Sequence, residues 1–326
     1  MSPTIGLLGD VMLGRKVGEA LGEGRPEDVW APEVREIAAS CDAVLCNLEC
    51  CISARGRRTE RYPGKPFFFR APPTAIESLR AIHLSAAGLA NNHALDYEVD
   101  ALDDTLELLR AAGIGVAGAG RDVAEARRGV VVDAGGQRLG LLAASDDPER
   151  YAAGPQVPGI AHAEFARGLP QWVTDELGRM RAECDLLVAF PHWGPNMTTE
   201  PARWQRRAAK RLCEAGADLV AGHSAHVFHG VGWTGRCPLV FDLGDALDDY
   251  AVDERLRNDL GLMALWRPGE AAELELVGLA LDFCHTRLAR GAEADWMAAR
   301  LDRACAALGT RVERAATQRF LIKPAR

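Results

Sequence analysis

The sequence predicts an α/β fold in one large domain, and three observations lead to this prediction. Apolar runs of strand length alternate along the chain with amphipathic stretches of helix length. The 326 residues are 48% apolar and 26% charged, which is typical of a globular protein with a large core. Polar residues follow the apolar runs, as they do at the carboxyl ends of strands in open α/β sheets. Because no clean linker or internal repeat divides the chain, we expect one domain over residues 1–326.

The first half of the chain alternates strands with a helix before it reaches a hairpin. Leu102, Leu106 and Leu109 have helical spacing, and Gly113 is a typical stop signal. Gly135 and Gly136 separate two apolar runs and predict a tight turn. The predicted elements are strands at residues 4–9, 43–48 and 83–89, a helix at residues 100–112, and a hairpin of residues 130–132 and 139–143.

The second half continues the alternation and then changes to antiparallel strands. Gly216 ends a helical stretch, and the turn Arg267-Pro268-Gly269-Glu270 joins two apolar runs. Two stretches have loop composition, namely residues 53–66, which are rich in arginine, and residues 148–158. The predicted elements are strands at residues 185–190, 218–221, 238–241, 260–266, 273–281 and 318–322, and helices at residues 201–215 and 292–308.

Charge and hydropathy exclude several classes of protein. Thirty-eight basic and 46 acidic residues give a net charge of −8, which argues against general binding to nucleic acid or to a membrane surface. No run approaches the length of a membrane-spanning helix, and the N-terminus lacks the pattern of a secretory signal. The nine cysteines are odd in number and include no C-x-x-C pair, so we expect neither disulfides nor a cysteine zinc site. These features predict a cytoplasmic protein with reduced thiols.

The residues that follow the strands predict a metal site. Carboxylate, imidazole and amide ligands together suit Mn, Fe or Zn, and a bridging carboxylate would allow two ions. Nothing in the sequence implies an organic cofactor. The candidate ligands and proton carriers at strand ends are Asp10, Asn47, Glu49, Asn91, Asn92, His93, His192, His223 and His226.

Seven ordered segments resemble the CapA-type family of poly-γ-glutamate capsule biosynthesis proteins. The resemblance extends from residue 5 to about residue 250 and covers the last quarter of the chain only loosely. It implies the calcineurin-like metallophosphoesterase fold, a four-layer αββα sandwich. The matching segments are GDVMLGR (9–15), NLE (47–49), ANNHALDY (90–97), GVAGAGRDVAEAR (115–127), HWG (192–194), GADLVAGHSAHV (216–227) and DLGD (242–245).

The resemblance also implies roles for individual residues. His93 corresponds to the family's catalytic histidine, and Arg15 to an arginine that can hold a substrate carboxylate. We expect Asn47 and Trp193 to contact the substrate as well, although Trp193 also suits a packing role. The implied ligands of one or two divalent ions, with Mn, Fe, Zn and Ca not distinguished, are Asp10, Glu49, Asn92, His192, His223 and His226.

Several residues depart from the family pattern. Met12 stands where metallophosphoesterases have the histidine of Asp-x-His, which the CapA-type family also lacks, so one metal position lacks a ligand. Asp242 and Asp245 replace a serine and an asparagine of the family's Ser-Leu-Gly-Asn motif, and Glu98 replaces a glycine. His229 is an additional histidine, and we expect Asp242, Asp245 or His229 to serve as a second proton carrier.

Three functions are compatible with these features. Epimerisation of a peptide residue uses two proton carriers beside a metal-polarised carbonyl, and we place it first because the site gains acidic and imidazole groups. Hydrolysis of an amide or phosphoester comes second, and a non-catalytic accessory role in polymer synthesis third. Family members usually carry a membrane anchor, whereas this chain begins almost at its first strand, so we do not expect a role in capsule export. The basic loop at residues 55–65 is expected to be solvated, although a flap that grips an acidic partner is an alternative.

Overall fold

The protein is described here by a computed structural model that covers residues 2–269 and 273–325. The helices in these ranges are α1 (Arg15–Glu23), α2 (Pro32–Ala39), α3 (Ala75–Ala81), α4 (Glu98–Ala111), α5 (Val123–Arg127), α6 (Gln171–Arg181), α7 (Arg203–Glu214) and α8 (Ala292–Ala306). Within the described ranges, no helix is both long enough and apolar enough to cross a membrane.

The strands are mostly short, and several of them lie next to the predicted metal site. They are β1 (Ile5–Val11), β2 (Ala43–Leu48), β3 (Cys51–Ile52), β4 (Arg70–Ala71), β5 (Leu84–Gly88), β6 (Gly115–Ala117), β7 (Ala119–Gly120), β8 (Val130–Ala134), β9 (Gln137–Ser145), β10 (Gly159–Ile160), β11 (Leu186–His192), β12 (Leu219–Ala221), β13 (Val231–Thr234), β14 (Cys237–Val240), β15 (Asp245–Leu247), β16 (Leu260–Arg267), β17 (Glu273–Leu281), β18 (Thr286–Leu288), β19 (Thr310–Ala316) and β20 (Arg319–Pro324).

Two large sheets contain most of these strands. The first has the order β19-β20-β17-β16-β1-β2-β5-β6, with β15 beside β1 and β18 beside β17. The second has the order β13-β14-β12-β11-β9-β8. Strands β1, β2, β5 and β6 run parallel in the first sheet, and β9, β11, β12 and β14 run parallel in the second. The carboxyl ends of each parallel group therefore lie at one edge of its sheet, which is where α/β folds form their sites.

The two sheets pack face to face around an apolar core. Leu7 and Leu45 contribute to this core from the first sheet, and Leu141 and Val188 from the second. A second core lies between the first sheet and α1 to α4, and a third between the second sheet and α6 and α7. Each fully buried leucine stabilises the fold by roughly 1.5–3 kcal/mol relative to an exposed one. The predicted four-layer αββα sandwich with the calcineurin-like metallophosphoesterase fold is confirmed.

Most predicted elements are present within one to three residues at each end. Strand β2 has the predicted bounds, and the antiparallel pair β16 and β17 forms as expected, although Glu270 of its predicted turn lies outside the described residues. Helix α6 was not predicted, although Val173, Leu177 and Met180 have helical spacing. The last strands share a sheet with β1, which favours one domain, and the single domain over 1–326 stays a prediction.

One prediction about local structure is wrong. Cys213 and Cys237 form a disulfide, because α7 and β14 bring together two cysteines that are 24 residues apart, a spacing that carries no signal in the sequence. Most of the basic loop at residues 55–65 is exposed, as predicted, although Thr59 and Lys65 are buried and two of its side chains pair with acidic residues at and just before the start of α4. Lys65 pairs with Asp96, and Arg61 pairs with Glu98.

Candidate metal centre and active site

The backbone of the first sheet sets three polar side chains in a row. Asp10 on β1 is in register with Asn47 on β2 on one side and with Asp245 on β15 on the other. Gly9 permits this arrangement, because a Cβ at this position would lie 1.8 Å from the carbonyl oxygen of Gly244. The close approach lets the Asp10 N–H donate to that same oxygen at 3.2 Å. The row is therefore fixed by main-chain contacts as well as by its side chains.

Four side chains at this edge form a compact group that could hold a metal ion. Asp10, Glu49, His226 and Asp245 each offer one ligand atom, and these atoms all lie within 4.8 Å of one another. His226 Nδ1 lies 2.8 Å from Asp245 Oδ1, 3.4 Å from Asp10 Oδ2 and 3.9 Å from Glu49 Oε2. His226 has a positive φ of 57°, which is uncommon outside glycine and frequent at functional sites.

A second group of ligands meets the first at Glu49. His192 Nε2 lies 4.0 Å from Glu49 Oε1, and His192 is bridged through the backbone to His223 in the next strand of the second sheet. Both ring nitrogens of His223 are buried and have no hydrogen-bond partner among the described residues. The Oδ1 atom of Asn92 is likewise buried and has no hydrogen-bond partner among the described residues. Of the six ligands that the resemblance implies, Asp10, Glu49, His192 and His226 contact one another within 4.0 Å in one cluster, whereas Asn92 and His223 contribute buried atoms without partners but have no measured side-chain contact with it.

Burial and mutual repulsion shift the pKa values of the carboxyl groups upwards. Burial raises the pKa of Glu49 well above its usual range, and the charges of Asp10 and Asp245 raise it further. Burial also raises the pKa of Asp10 and of Asp245. Burial opposes the charged form of His226, but the charges of Glu49 and Asp10 outweigh it and raise the pKa of this imidazole. These shifts show how strongly the cluster favours a compensating positive charge.

The residues present fit a divalent cation. Both carboxylate oxygens of Glu49 are buried and have no hydrogen-bond partner within the described chain. A buried carboxylate without partners is costly unless a cation or a proton neutralises it. The chemistry of the donors, which are carboxylate, imidazole and amide groups, is that of Mn, Fe or Zn sites. A divalent ion is therefore the group that this cluster suits.

His93 stands at the edge of the cluster with a carboxylate and an ammonium group behind it. Its Nδ1 lies 2.6 Å from Asp96 Oδ2, and its Nε2 lies 3.8 Å from Glu49 Oε1. Lys65 Nζ lies 3.0 Å from the other oxygen of Asp96. Phe69 stacks on the imidazole with ring centres 3.9 Å apart. Burial lowers the pKa of His93 to about 4, so the ring is neutral at pH 7 and can accept a proton.

A cavity of about 510 Å³ opens beside His93. Arg15 lines it, pairs with Asp249 at 3.0 Å, and lies 5.6 to 5.8 Å from the ring centres of three aromatic residues. The walls combine aromatic, amide and cationic groups, a mixture that suits a peptide-like ligand. The side chains that give this character are Arg15, Lys65, Phe67, Phe69, Asn92 and Tyr250.

Three residues predicted to act on the substrate lie elsewhere. Asn47 is buried, donates from Nδ2 to Asp10 Oδ1 at 2.7 Å and lies 3.3 Å from His192 Nδ1, so it orients ligands instead of touching substrate. Trp193 is buried in the core of the second sheet, and its indole donates to the Phe241 carbonyl. His229 is buried, with Nε2 3.1 Å from the Thr198 carbonyl oxygen, and none of its described hydrogen bonds reaches the cluster. None of the three side chains lines the cavity beside His93, so the geometry does not support the predicted substrate contacts of Asn47 and Trp193 or the predicted proton-carrier role of His229.

Asp245 lies with the metal ligands, although we predicted it as a proton carrier. Asp242, the alternative carrier, uses both carboxylate oxygens to accept the N–H groups of Ala225 and Gly244 at 2.8 Å. Sequence reasoning also missed Asp96, although its spacing of three residues from His93 was a usable signal. No signal in the sequence pointed to Lys65.

The fold is of the calcineurin-like metallophosphoesterase type, and the cluster at its sheet edge could hold a divalent cation. The sequence model of the family "Bacterial capsule synthesis protein PGA_cap" matches residues 4–250. This chain belongs to that family, and the predicted CapA-type resemblance is confirmed.

Curated relatives agree with this membership. The chain is 32% identical to "Probable polyglutamine synthesis accessory protein" of Mycobacterium tuberculosis over 285 residues, which cover 83% of this chain and 74% of the relative. It is 25% identical to "PGA biosynthesis protein CapA" of Bacillus subtilis over 244 residues, 74% of this chain and 62% of the relative.

A crystal structure of a hypothetical protein from Thermus thermophilus has a TM-score of 0.45 and 14% identity, covering 87% of this chain and 96% of that one.

Proposed function

We propose that this protein is a metal-dependent hydrolase that cleaves an amide bond in a peptide-like substrate. The observation that carries the proposal is the position of His93, which is neutral, borders the cavity and points Nε2 towards the metal cluster. A divalent ion held by the cluster would act as a Lewis acid towards the carbonyl group. Only one proton carrier is then needed, and His93 supplies it.

The residues of this chain account for each proton in that reaction. His93 Nε2 accepts a proton from the attacking water as its oxygen bonds to the carbonyl carbon. Asp96 stabilises the imidazolium that forms, in the manner of a carboxylate behind a catalytic histidine. When the carbon–nitrogen bond breaks, His93 returns the proton to the leaving nitrogen, and the products are a carboxylic acid and an amine.

Epimerisation, which the sequence placed first, becomes the second candidate. One observation favours it: His93 and His226 approach opposite oxygens of Glu49, at 3.8 and 3.9 Å, and both border the cavity. His93 is neutral and His226 has a raised pKa, which would give a base and an acid on two sides of one carbon. This reaction requires that His226 does not bind the metal. The position of His226 in the compact ligand group favours its binding to the metal instead.

The family membership is compatible with both reactions and with a non-catalytic role. The relatives are named for polyglutamine synthesis and for PGA biosynthesis, and cleavage of amide bonds in an acidic peptide polymer would be an accessory activity of that kind. The unpaired buried ligands favour a working metal centre over a scaffold. A peptide substrate and a cytoplasmic location are part of the proposal.

Isotope incorporation tests the proposal directly. The Mn²⁺-loaded chain is incubated with oligo-γ-glutamate and with α-linked peptides in H₂¹⁸O, and in parallel in D₂O, and the products are analysed by mass spectrometry. We expect shortened peptides with ¹⁸O in a new carboxyl group, and none with the variant His93→Gln. Deuterium at one Cα without fragments would show that the reaction is epimerisation and not hydrolysis. Absence of any product with a broad peptide library would leave the non-catalytic role.

A further inference from the structure

We propose that Asp245 is a direct ligand, and that with Asp10, Glu49 and His226 it completes a site for a hard divalent cation, for which Mn²⁺ is the probe. The proposal rests on the proposed function in one respect, because both assume that the cluster binds a metal ion. It does not depend on which reaction the metal supports.

The backbone positions Asp245 for this role. Strand β15 runs parallel to β1, and Asp10 and Asp245 are partners in register. Main-chain hydrogen bonds on both sides of this pair fasten β15 to β1, from Asp10 N–H to the Gly244 carbonyl and from Met12 N–H to the Leu247 carbonyl. The two carboxylates therefore project from neighbouring positions of one rigid sheet edge.

The side chains leave lone pairs unused in the middle of the group. Asp245 is 1% exposed, and its Oδ2 has no hydrogen-bond partner among the described residues. Glu49 is fully buried, and both of its oxygens lack partners in the same part of the chain. Carboxylate oxygens this deeply buried are normally paired or bound to a metal. Unpaired atoms on Asp245 of β15 and on Glu49, which follows β2, point to one missing partner between them.

Neither Arg15 nor Lys65 pairs with these carboxylates. Arg15 is paired with Asp249, and Lys65 is paired with Asp96. Asp248, whose Oδ2 is buried without a partner in the described chain, adds further negative charge beside Asp245. A site with three carboxylates and one imidazole suits an oxygen-preferring divalent cation.

The competing interpretation is that Asp245 only orients His226. Asp245 Oδ1 lies 2.8 Å from His226 Nδ1, which is also the geometry of a carboxylate supporting a ligating histidine. The two interpretations differ in what Asp245→Asn does. Asparagine keeps an oxygen for His226 but removes the charge and most of the ligand strength. Loss of a supporting group typically weakens metal binding 10- to 100-fold.

Mn²⁺ titration of the full chain by calorimetry, combined with a crystal structure of the unaltered chain soaked in Mn²⁺, tests the proposal. We expect Asp245→Asn to weaken Mn²⁺ binding more than 100-fold. The control Asp248→Asn changes a buried aspartate that lies beside Asp245 but outside the ligand group, and it should weaken binding by no more than the 10- to 100-fold typical of a supporting group. In the soaked crystal, the Mn²⁺ ion located by its anomalous signal should be bonded to an Asp245 oxygen.

Two results would overturn the inference. One is an Asp245→Asn variant that binds Mn²⁺ as tightly as the control. The other is an Mn²⁺ ion that is bound in the crystal while Asp245 contacts only His226. The soaked crystal decides the matter if the variant does not fold. Because both measurements follow the metal and not the products, the inference can fail while the hydrolase proposal stands, and the reverse.

Discussion

At the scale of single residues, the site depends on charged groups that are held apart from water. His93 is kept neutral by burial although Asp96 contacts it, and Lys65 holds the far side of Asp96. This arrangement gives a base with a fixed orientation, because Asp96 specifies which ring nitrogen carries the hydrogen. The proton chemistry of the site therefore depends on three residues, of which only His93 was identified from the sequence.

The variant Asp96→Asn tests this arrangement. Asparagine cannot stabilise the imidazolium and can reverse the hydrogen position on the ring, so we expect kcat to fall by about 10²–10⁴-fold. Bound metal should stay near the level of the unaltered chain, because Asp96 is not in the ligand group. Steady-state kinetics and elemental analysis measure both quantities. Unchanged kcat would show that Asp96 has only a structural role.

At the scale of elements, the site depends on close main-chain approaches that the pattern of apolar residues does not reveal. Strands β1, β2 and β11 were predicted from their apolar runs, and the residues that follow them do converge. Strand β15 was not predicted, because three residues between polar neighbours give no periodic signal. The role of Asp245 could not be predicted for the same reason, since it depends on the register of β15 with β1.

Gly9→Ala tests the contact between β1 and the turn before β15. The added Cβ would lie 1.8 Å from the Gly244 carbonyl oxygen, so the two segments must separate. We expect the free energy of unfolding to fall by about 1–3 kcal/mol, as for other overpacked core positions, and Mn²⁺ binding to weaken. Chemical denaturation measures the change.

Gly22→Ala is the matched control for this variant. Gly22 lies in α1 with no atom within 4 Å of an added Cβ, so alanine should stabilise the chain by about 0.5–1 kcal/mol through helix propensity. If Gly9→Ala were as stable as Gly22→Ala, the close approach of β1 and Gly244 would not matter for the fold.

At the scale of the whole molecule, the sandwich fold and the family could be predicted from the sequence, because ordered motifs at strand ends are specific in combination. Several pairings could not be predicted, because they join residues distant in the chain. The pairing of Lys65 with Asp96 and the disulfide of Cys213 with Cys237 are of this kind. The separation of His229 from the cluster could not be predicted either, since three residues after His226 the chain has already turned away.

The buried carboxylates also link the stability of the whole fold to pH and to metal. Burial raises the pKa of Asp242 to about 8, and the pKa of His226 is raised as well. A native state that holds extra protons loses stability as pH rises through these values. His93, His192, His223 and His229 have lowered pKa values and act in the opposite direction around the usual imidazole pKa of 6.5, so the decrease in stability is expected from about pH 7.5 to 8.5.

Thermal unfolding of the chelator-treated chain across this window, with and without Mn²⁺, is the most direct test of the claim that the cluster holds a divalent cation. Metal binding requires ionised carboxylates, so its stabilising effect should increase with pH. Without metal, we expect the unfolding temperature to fall between about pH 7.5 and 8.5. With saturating Mn²⁺, the unfolding temperature should be higher than without metal at both ends of the window, and the difference should be larger at the upper end. An unfolding temperature that does not respond to Mn²⁺ at any concentration would contradict the claim.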